Sequence, residues 1–441
     1  MGQETFLTIP RGGVYDARHV GVKVAVVGGG STYTPELVEG FATRADRLPV
    51  DELVLFDIDE ERLRIVGGLA ERQLRRAGWS GRLDRTTRRA DALDGTDFVV
   101  IQLRVGGNQA RLLDETIPPK HGCIGQETTG PGGFAKALRT VPVVLDIAEE
   151  TARRGAAGAW IVDFTNPTGL VTQALLDRGH RALGLCNVPI GFQRRFAERF
   201  GVEPDRVQLE HVGLNHLSWE RAVLVDGVDR LPELLDGAID EVADGFPAEL
   251  VRGLGAIPSY YLRYYYLADR VLEEERTGWP RAEEVIEIEA GLLQLYEDPS
   301  LDRKPELLER RGGAYYSEAA AALVASLHDG AGDVQVVNLR NAGALPGLPD
   351  EDVVEIPARI DRDGAHPLPL APLAPEMLGL VEHAKAYERL TIEAATTGDR
   401  AIALKALMAN PLVGDFDRAT ALLDDLLAAN REHLPAFFPN G

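Results

Sequence analysis

The chain has 441 residues, 45% of them hydrophobic, which is enough for two packed cores at a prior of about 150 residues per domain. Its 47 basic and 69 acidic residues give a net charge of −22, which argues against nonspecific binding to nucleic acid or to an anionic membrane. Two cysteines, Cys123 and Cys186, exclude a disulfide scaffold. The first 20 residues do not resemble a secretory signal, and no apolar run approaches the roughly 18 residues of a membrane span. We therefore expect a cytoplasmic protein that binds any anionic substrate through local arginines.

A glycine-rich turn near the start of the chain predicts a dinucleotide-binding site. The apolar run from 22 to 27 favours a buried parallel strand, and the three glycines that follow let the backbone turn tightly beside a pyrophosphate. Thr34 and Pro35 are suited to the N-cap and first turn of a helix whose positive end would face the phosphates. Tyr33 stands where a G-x-G-x-x-G fingerprint requires glycine, so an ordinary strand-to-helix turn is the alternative.

A second predicted strand, 53–56, runs into Asp57, which lies 29 residues beyond Gly28. An acid at this place can bind the ribose hydroxyls of adenosine and favours NAD over NADP. The predicted cofactor-binding residues are Gly28, Gly29, Gly30, Ser31, Thr32 and Asp57.

The first half of the chain alternates strand and helix patterns. Further strands are predicted over 97–103, 160–164 and 182–185, and a helix over 142–154. This alternation is typical of a doubly wound parallel sheet, which binds its ligands at the carboxyl ends of the strands. It predicts a Rossmann-type NAD-binding domain over residues 1–200.

From residue 207 the pattern changes. The segment 207–227 predicts a pair of antiparallel strands. Helices are predicted near 282–296, 317–327, 375–396 and 416–429. These elements predict a second, α+β domain over residues 201–441.

Polar residues follow several of the predicted parallel strands. Arg104, Asn166, Cys186 and Asn187 each come just after one, so all should open on the same edge as the glycine turn. Taken singly, each has an ordinary structural interpretation as a surface arginine, an Asn-Pro turn or a buried cysteine. Their shared position favours a site.

Longer blocks of sequence extend this pattern. They read VGGGSTYTPELVEG, IQLRVGGNQAR, KHGCIGQETTGPGGFAKALRTVP, DFTNPTGLV, GLCNVP and GLNHLSW, and continue through PSYYLRYYY, RAEEVIEIE, RGGAYYSEAA and ALMANPLV. On these blocks the chain resembles glycoside hydrolase family 4, most closely its 6-phospho-β-glucosidase branch. The resemblance implies a lactate and malate dehydrogenase-like fold, a tightly held NAD and a divalent metal, usually manganese. NAD-dependent members of this family do not use the two-carboxylate mechanism of other glycosidases.

The resemblance also implies site residues. It matches the metal ligands to Cys186 and His216, although a cysteine and a histidine 30 residues apart are weak evidence by spacing alone. It places a base among the tyrosines of the YYLRYYY segment, where Tyr261 fits, with Tyr260 and Tyr265 as alternatives. Arg281 fits the spacing of a substrate-binding arginine.

In the mechanism that the resemblance implies, NAD takes hydride from C3 of the sugar, which acidifies the proton at C2. Tyr261 removes that proton while the metal stabilises the enediolate. The C1 group then leaves, water adds, and hydride returns to C3. The resemblance further assigns sugar hydroxyls to Asn166 and Asn187, the sugar or its 6-phosphate to Arg104 and Arg281, and assistance of the base to Glu127.

Asn187 also bears on the anomer, because α-specific members carry aspartate there and asparagine cannot act as a general acid. The expected substrate is a phosphorylated disaccharide or β-glucoside, and the expected assembly a homodimer or homotetramer, with no nucleic-acid or membrane partner. Two alternatives remain open: an NAD-dependent 2-hydroxy-acid dehydrogenase, on fold analogy, and a non-catalytic NAD-binding sensor.

Overall fold

The computed structural model describes residues 21–312 and 315–439. The first 20 residues, where we expect no secretory signal, lie outside that part of the chain. Within it, no helix combines the length and the apolar character needed to cross a membrane.

The first half of the described chain alternates strands with helices, as the sequence predicts. Its elements are β1 (Val22–Val27), α1 (Thr34–Ala42), β2 (Val50–Phe56), α2 (Glu60–Arg76), β3 (Arg82–Thr86), α3 (Arg89–Leu93), β4 (Phe98–Ile101), α4 (Gly107–Thr116), a 3₁₀ turn (Pro118–His121), α5 (Gly130–Arg154), β5 (Trp160–Asp163), α6 (Thr168–Asp177), β6 (Ala182–Gly184) and α7 (Val188–Phe200).

The six strands of this half lie parallel in the order β3-β2-β1-β4-β5-β6. This is the strand order of a dinucleotide-binding fold, in which the crevice beyond the carboxyl ends of β1 and β4 is the usual binding place. The parallel Rossmann-type sheet is therefore confirmed. The strands are shorter than predicted at β4, β5 and β6, and β2 begins three residues earlier, at Val50.

The second half supplies a small antiparallel sheet and most of the long helices. Its elements are a 3₁₀ turn (Pro204–Arg206), β7 (Val207–Leu214), β8 (Leu217–Val225), β9 (Val228–Asp229), α8 (Leu231–Gly237), α9 (Ile239–Val242), α10 (Ala248–Leu254), β10 (Ile257–Pro258), a 3₁₀ turn (Tyr260–Leu262), α11 (Arg263–Tyr266), α12 (Ala268–Thr277), α13 (Arg281–Tyr296), α14 (Leu307–Arg310), α15 (Tyr316–Asp329), β11 (Asp333–Arg340), β12 (Val353–Asp361), β13 (Gly364–Pro367), α16 (Pro375–Thr397), α17 (Arg400–Met408), α18 (Phe416–Ala429) and a 3₁₀ turn (Arg431–His433).

Three strands of this half extend the parallel sheet. β11 pairs antiparallel with β6, and β12 and β13 continue outward, so the complete sheet has nine strands. These strands were not predicted, because β11 comes about 150 residues after β6 and its local pattern does not reveal which sheet it joins. The smaller sheet, β10-β8-β7 with β9, is not hydrogen-bonded into the large one. The division of the chain at residue 200 stays a prediction.

Helix α5 begins at Gly130, twelve residues earlier than the predicted start at Pro142. Pro131 occupies its first turn, where a missing N–H costs nothing. Gly132 and Gly133 press against backbone: a Cβ on either would lie 2.4–2.5 Å from a carbonyl oxygen. Gly132 and Gly133 are therefore packing positions within a helix.

The central strands of the large sheet are buried on both faces. Along β1, Val24 and Val26 pack with α1 and α15 on one face, while Ala25 and Val27 pack with α5 and α18 on the other. This explains why β1 is apolar throughout instead of alternating.

A buried ion pair fixes α5 against α4. Arg139 donates to both carboxylate oxygens of Asp114, at 2.9 and 2.7 Å, and to Asn430 Oδ1 at 2.6 Å. Both partners of the pair are at most 1% exposed. Such a pair is costly to break, because the remaining charge stays buried.

We expect Arg139→Leu to lower the free energy of unfolding by about 3–5 kcal/mol, since it leaves Asp114 buried without its partner. Chemical denaturation measures the change. Arg64→Ala, which removes the exposed pair with Glu61, is the control and should leave the midpoint where it is. Equal midpoints for the wild type and Arg139→Leu would contradict the role of the pair.

Candidate functional site

The glycine turn lies between the carboxyl ends of β1 and β4. Gly28 has φ +88°, and the N–H groups of Gly28 and Gly29 both donate to Phe56 O, at 3.0 and 2.8 Å. A Cβ on Gly28 would lie 2.8 Å from Gln102 O, so no other residue fits this turn without rearrangement. Position 28 is therefore closed to side chains, as expected of a turn at which a ligand approaches the backbone closely.

Asp57 is oriented by the same turn. Its Oδ2 accepts from Gly30 N at 2.8 Å and its Oδ1 from Asp59 N at 3.1 Å. Each carboxylate oxygen retains capacity for a ribose hydroxyl. The side chain of Thr32 instead points into the core and donates to Glu289 Oε1 at 3.3 Å, so any contact of Thr32 with a cofactor comes from its backbone.

The helix start differs from the prediction in one detail. Tyr33 is the N-cap residue and Thr34 is the first residue of α1. The Thr34 hydroxyl donates to Gly29 O at 2.9 Å and accepts from Gln102 Nε2 at 2.8 Å, so it is not available to cap the helix. Pro35 lies in the first turn, as expected.

His216 lies in the two-residue turn that joins β7 to β8, between the paired residues Leu214 and Leu217. Its backbone is left-handed, with φ +62°. A left-handed residue at the second central position of a turn favours glycine or asparagine, and histidine tolerates it better than branched residues do. The turn buries the ring, which is 5% exposed.

Hydrogen bonds fix which ring nitrogen of His216 can bind a ligand. Thr128 Oγ1 lies 2.8 Å from Gln126 Oε1 and 2.8 Å from His216 Nδ1. The Thr128 hydroxyl donates to the glutamine oxygen and so accepts from His216 Nδ1–H. The lone pair is then on Nε2. Burial lowers the pKa of His216 to about 4, which keeps the ring in the neutral form that binds metals.

Tyr261 stacks on His216. The two ring centroids are 3.5 Å apart with an angle of 11° between the planes. Burial raises the pKa of Tyr261 far above its ordinary value, the nearby Cys186 and Glu127 raise it further, and Arg111 lowers it. The alternatives are placed differently: the Tyr260 hydroxyl accepts from Arg263 Nη1 at 2.6 Å in an exposed position, and Tyr265 packs against the core.

Cys186 follows β6 at the start of α7. Burial and the nearby Glu355 raise the pKa of its thiol well above the ordinary value, although the N–H groups of Val188 and Asn187 and the side chain of Asn215 lower it in part. A helix N-terminus and a nearby cation are the usual means by which proteins stabilise a thiolate. Cys186 thus comes from the large sheet and His216 from the small one, and both act on Tyr261.

These residues suit a divalent metal with an open coordination sphere. A neutral histidine with a free Nε2 and a thiol at a helix N-terminus are ligands for Mn²⁺ or Zn²⁺. Among the described residues no group of three or more His, Cys, Asp or Glu side chains is arranged to hold a metal. Two protein ligands would leave several positions for substrate oxygens.

A cluster of charges surrounds Glu127. It accepts from Arg104 and from Lys136 Nζ at 2.6 Å, and Arg111 Nη1 lies 3.5 Å away. Although burial opposes ionisation, these three cations hold the pKa of Glu127 well below its ordinary value. Burial and Arg104 together lower the pKa of Lys136 to about 7. This arrangement favours a role for Glu127 in orienting Arg104 over one in accepting a proton.

The remaining predicted residues lie around this centre. Asn166 follows β5, and its Oδ1 accepts from Thr168 Oγ1 at 3.4 Å. Asn187 is the N-cap residue of α7, beside Cys186. Arg281 is more distant: it is exposed and donates to Glu284 and, at 2.7 Å, to Arg310 O.

Arg281 is nevertheless linked to the centre through its neighbour. Ala282 N donates to Glu115 Oε2 at 2.6 Å, and Glu115 Oε1 accepts from Arg111 Nε at 2.7 Å. Arg111, Lys136 and Thr128 were not assigned roles from the sequence. They stand inside the quoted blocks, but only their contacts with Glu127 and His216 reveal what they do.

Comparison with known proteins gives consistent matches over nearly the whole chain. The profile described as "Family 4 glycosyl hydrolase" matches residues 23–202, and "Family 4 glycosyl hydrolase C-terminal domain" matches residues 211–413. A "Probable 6-phospho-beta-glucosidase" of Bacillus subtilis (strain 168) is 44% identical over 436 residues, which are 95% of this chain and 98% of that protein.

Solved structures extend the comparison. The 6-phospho-beta glucosidase of Thermotoga maritima, solved with manganese, NAD⁺ and glucose-6-phosphate, superposes with a TM-score of 0.88 at 36% identity, covering 93% of this chain and 99% of that one. A lactate dehydrogenase from Cryptosporidium parvum superposes with a TM-score of 0.51 at 16% identity, covering 85% of this chain and 98% of that one. The second likeness shows the dehydrogenase-like fold alone.

We expect Thr128→Val to weaken Mn²⁺ binding by roughly 10- to 100-fold, the usual effect of removing a hydrogen-bond partner of a metal-binding histidine. Calorimetric titration of the full chain with Mn²⁺ measures this. Thr140→Val is a matched control, because the buried Thr140 hydroxyl has no hydrogen-bond partner in the described structure. A dissociation constant for Thr128→Val equal to that of the wild type would show that Thr128 does not orient a metal ligand.

Proposed function

Because the chain belongs to family 4 of the glycosyl hydrolases, we propose that it hydrolyses 6-phospho-β-glucosides with bound NAD and a divalent metal ion, Mn²⁺ in the first instance. The observation that carries the proposal is the stack of Tyr261 on His216 beside Cys186, because a phenol there would lie next to two side chains of the types that bind metals. The name of the B. subtilis relative and the molecules bound in the T. maritima structure support it.

Each cofactor has residues suited to it. The turn at Gly28, Gly29 and Gly30, with the backbone of Ser31 and Thr32, would hold the NAD pyrophosphate, and Asp57 the ribose. Cys186 and His216 would hold the metal. When bound, NAD supplies reversible hydride transfer and the metal supplies Lewis acidity.

We assign to Tyr261 the removal of the proton from C2 of the sugar. Oxidation at C3 acidifies that proton, and its loss lets the C1 substituent leave by elimination. Water then adds at C1, and Tyr261 returns a proton to C2. The sugar is oxidised and then reduced within one turnover, so no net NADH is formed.

The charge around Glu127 supports an anionic substrate. Arg104, Arg111 and Lys136 face two carboxylates, Glu127 and Glu115, so one positive charge is in excess when Lys136 is protonated. In a protein of net charge −22, such a local excess is a specific feature. We assign the 6-phosphate to Arg104, with Arg281 at the rim, because forked guanidinium donors match phosphate oxygens.

The preference for β-linked substrates is argued from Asn187, the residue next to the proposed metal ligand Cys186. Asn187 occupies the N-cap of α7, where an aspartate could protonate a leaving oxygen and an asparagine cannot. We assign sugar hydroxyls to Asn187 and Asn166. The homodimer or homotetramer and the cytoplasmic location stay predictions.

For specificity, we expect rapid hydrolysis of a chromogenic 6-phospho-β-glucoside and at most weak hydrolysis of the unphosphorylated β-glucoside or either α-anomer. The phosphate supplies the charge that the arginines bind. For an α-anomer, Asn187 stands where an aspartate would have to protonate the leaving oxygen. Release of the chromophore from all four compounds, with NAD and Mn²⁺ present, measures this. Cleavage of only the unphosphorylated or only the α-linked compounds would contradict the assignment.

For mechanism, we expect hydrolysis in heavy water to place deuterium at C2 of the released sugar, without accumulation of NADH. Tyr261→Phe should reduce turnover by roughly 10²- to 10⁴-fold, because it removes the base and keeps the ring that packs on His216. Mass spectrometry of the product and absorbance of NADH measure the two effects.

Tyr260→Phe and Tyr265→Phe are matched controls that keep the aromatic ring and should retain turnover. A large loss in one of them, with Tyr261→Phe unaffected, would move the base to that residue. Accumulation of NADH would favour the dehydrogenase alternative. A wild-type product without label at C2 would refute the elimination mechanism.

A further inference from the structure

A buried polar cluster lies between the two sheets, next to Cys186 and His216. It consists of His211 on β7, Glu220 on β8, Asn215 in the turn between them, Asn338 on β11 and Glu355 on β12; we call it the inter-sheet cluster. Four of its members are at most 1% exposed, and Asn215 is half-buried. Buried charged groups at such a density are rare unless each has a partner.

His211 joins the two glutamates. Its Nδ1 lies 2.6 Å from Glu220 Oε1 and its Nε2 lies 3.1 Å from Glu355 Oε2. Although burial alone lowers the pKa of His211, the two carboxylates raise it to about 10. An imidazolium with two carboxylates carries one net negative charge, which remains buried beside the proposed metal ligands.

Glu355 connects this charge to the site. Its Oε1 accepts from Asn338 Nδ2 at 2.8 Å and from Asn215 Nδ2 at 3.0 Å. The side chain of Asn215 also lies close enough to Cys186 to lower the pKa of its thiol. A chain of hydrogen bonds therefore runs from His211 through Glu355 to Asn215, which lies beside the thiol.

The path crosses the junction of the two sheets. Cys186 follows a strand of the large sheet and His216 lies in a hairpin of the small sheet, so no single element sets the distance between them. Asn215 immediately precedes His216 in the chain and lies beside Cys186, and Glu355 holds the Asn215 amide from the large sheet. The orientation of the Asn215 side chain therefore affects the distance and angle between Cys186 and His216.

We propose that Glu355, held by His211, is a positioning residue that fixes Asn215 and thereby the spacing of Cys186 and His216 around a divalent cation. This inference rests on the proposed function, since it requires those two residues to be the metal ligands. Partners of this kind are typically responsible for 10- to 100-fold in metal affinity.

The test is Glu355→Gln, which keeps the size of the side chain and removes its charge. We expect Mn²⁺ affinity, measured by calorimetry on the full chain, to fall by roughly 10- to 100-fold. Turnover should recover to within a few-fold of the wild type at saturating Mn²⁺, because Glu355 does not touch the substrate. Asp114→Asn is the matched control: it also neutralises a fully buried carboxylate, but one paired with Arg139 away from the inter-sheet cluster, and should retain Mn²⁺ affinity.

The outcomes separate this inference from the function on which it rests. If the wild type does not bind Mn²⁺, the proposed metal site is wrong. If the wild type binds and Glu355→Gln binds equally well, or if Asp114→Asn weakens binding as much, the positioning role is overturned.

A second variant covers the case in which Glu355→Gln does not fold. Asn215→Ser leaves the His211–Glu355 contact in place and removes the amide that Glu355 holds beside Cys186. It should weaken Mn²⁺ binding to a similar extent, with the melting temperature in the absence of metal close to that of the wild type. Unchanged Mn²⁺ affinity in this variant also overturns the proposal.

Discussion

The ring of His216 is held from three directions, and the positions of the neighbouring groups follow from it. The hairpin turn fixes its backbone in a left-handed conformation, at a cost of about 1–3 kcal/mol for a residue with a side chain. Thr128 binds Nδ1, and the face of the ring is covered by Tyr261 at a centroid distance of 3.5 Å. Because the stack leaves no room for independent movement, the distance from the phenol to any ligand on Nε2 is set by ring packing.

The electrostatics of the site run opposite to those of the whole chain. A net charge of −22 repels a phosphorylated substrate, yet the region around Glu127 gathers three cations on elements α4 and α5 and the loop after β4. Glu127 reduces the repulsion among these cations, because its carboxylate pairs with them when no anionic ligand is bound. The buried Asp114–Arg139 pair fixes α4 on α5, and Arg139 also donates to Val105 O at 3.4 Å, so it supports the loop that carries Arg104.

Features of the site could be predicted from the sequence when the interacting residues lie close together in the chain. The glycine turn and Asp57 could be predicted because strand, turn and acid follow one another within a single βαβ unit. Cys186 and His216 could not be derived from spacing and came from the family resemblance. The inter-sheet cluster and the contact of Thr128 with His216 join residues 144 and 88 positions apart, and no local pattern shows such pairs. For the same reason β11, β12 and β13 were not predicted. Glu355 lies on β12, so its position beside the site could not be predicted either.

The protein by itself makes Tyr261 a poor base. Burial raises the pKa of its phenol, and the neighbouring Cys186 and Glu127 oppose a negative charge on it. The nearby cations are already engaged: Arg111 with Glu115 and Glu127, and Lys136 with Glu127. In the function that we propose, the charge that stabilises a phenolate would come from a metal on Cys186 and His216, and Tyr261 is stacked on the His216 ring. That stack would then couple the strength of the proposed base to metal binding, so the positioning role that we propose for Glu355 would bear on proton transfer as well as on metal affinity.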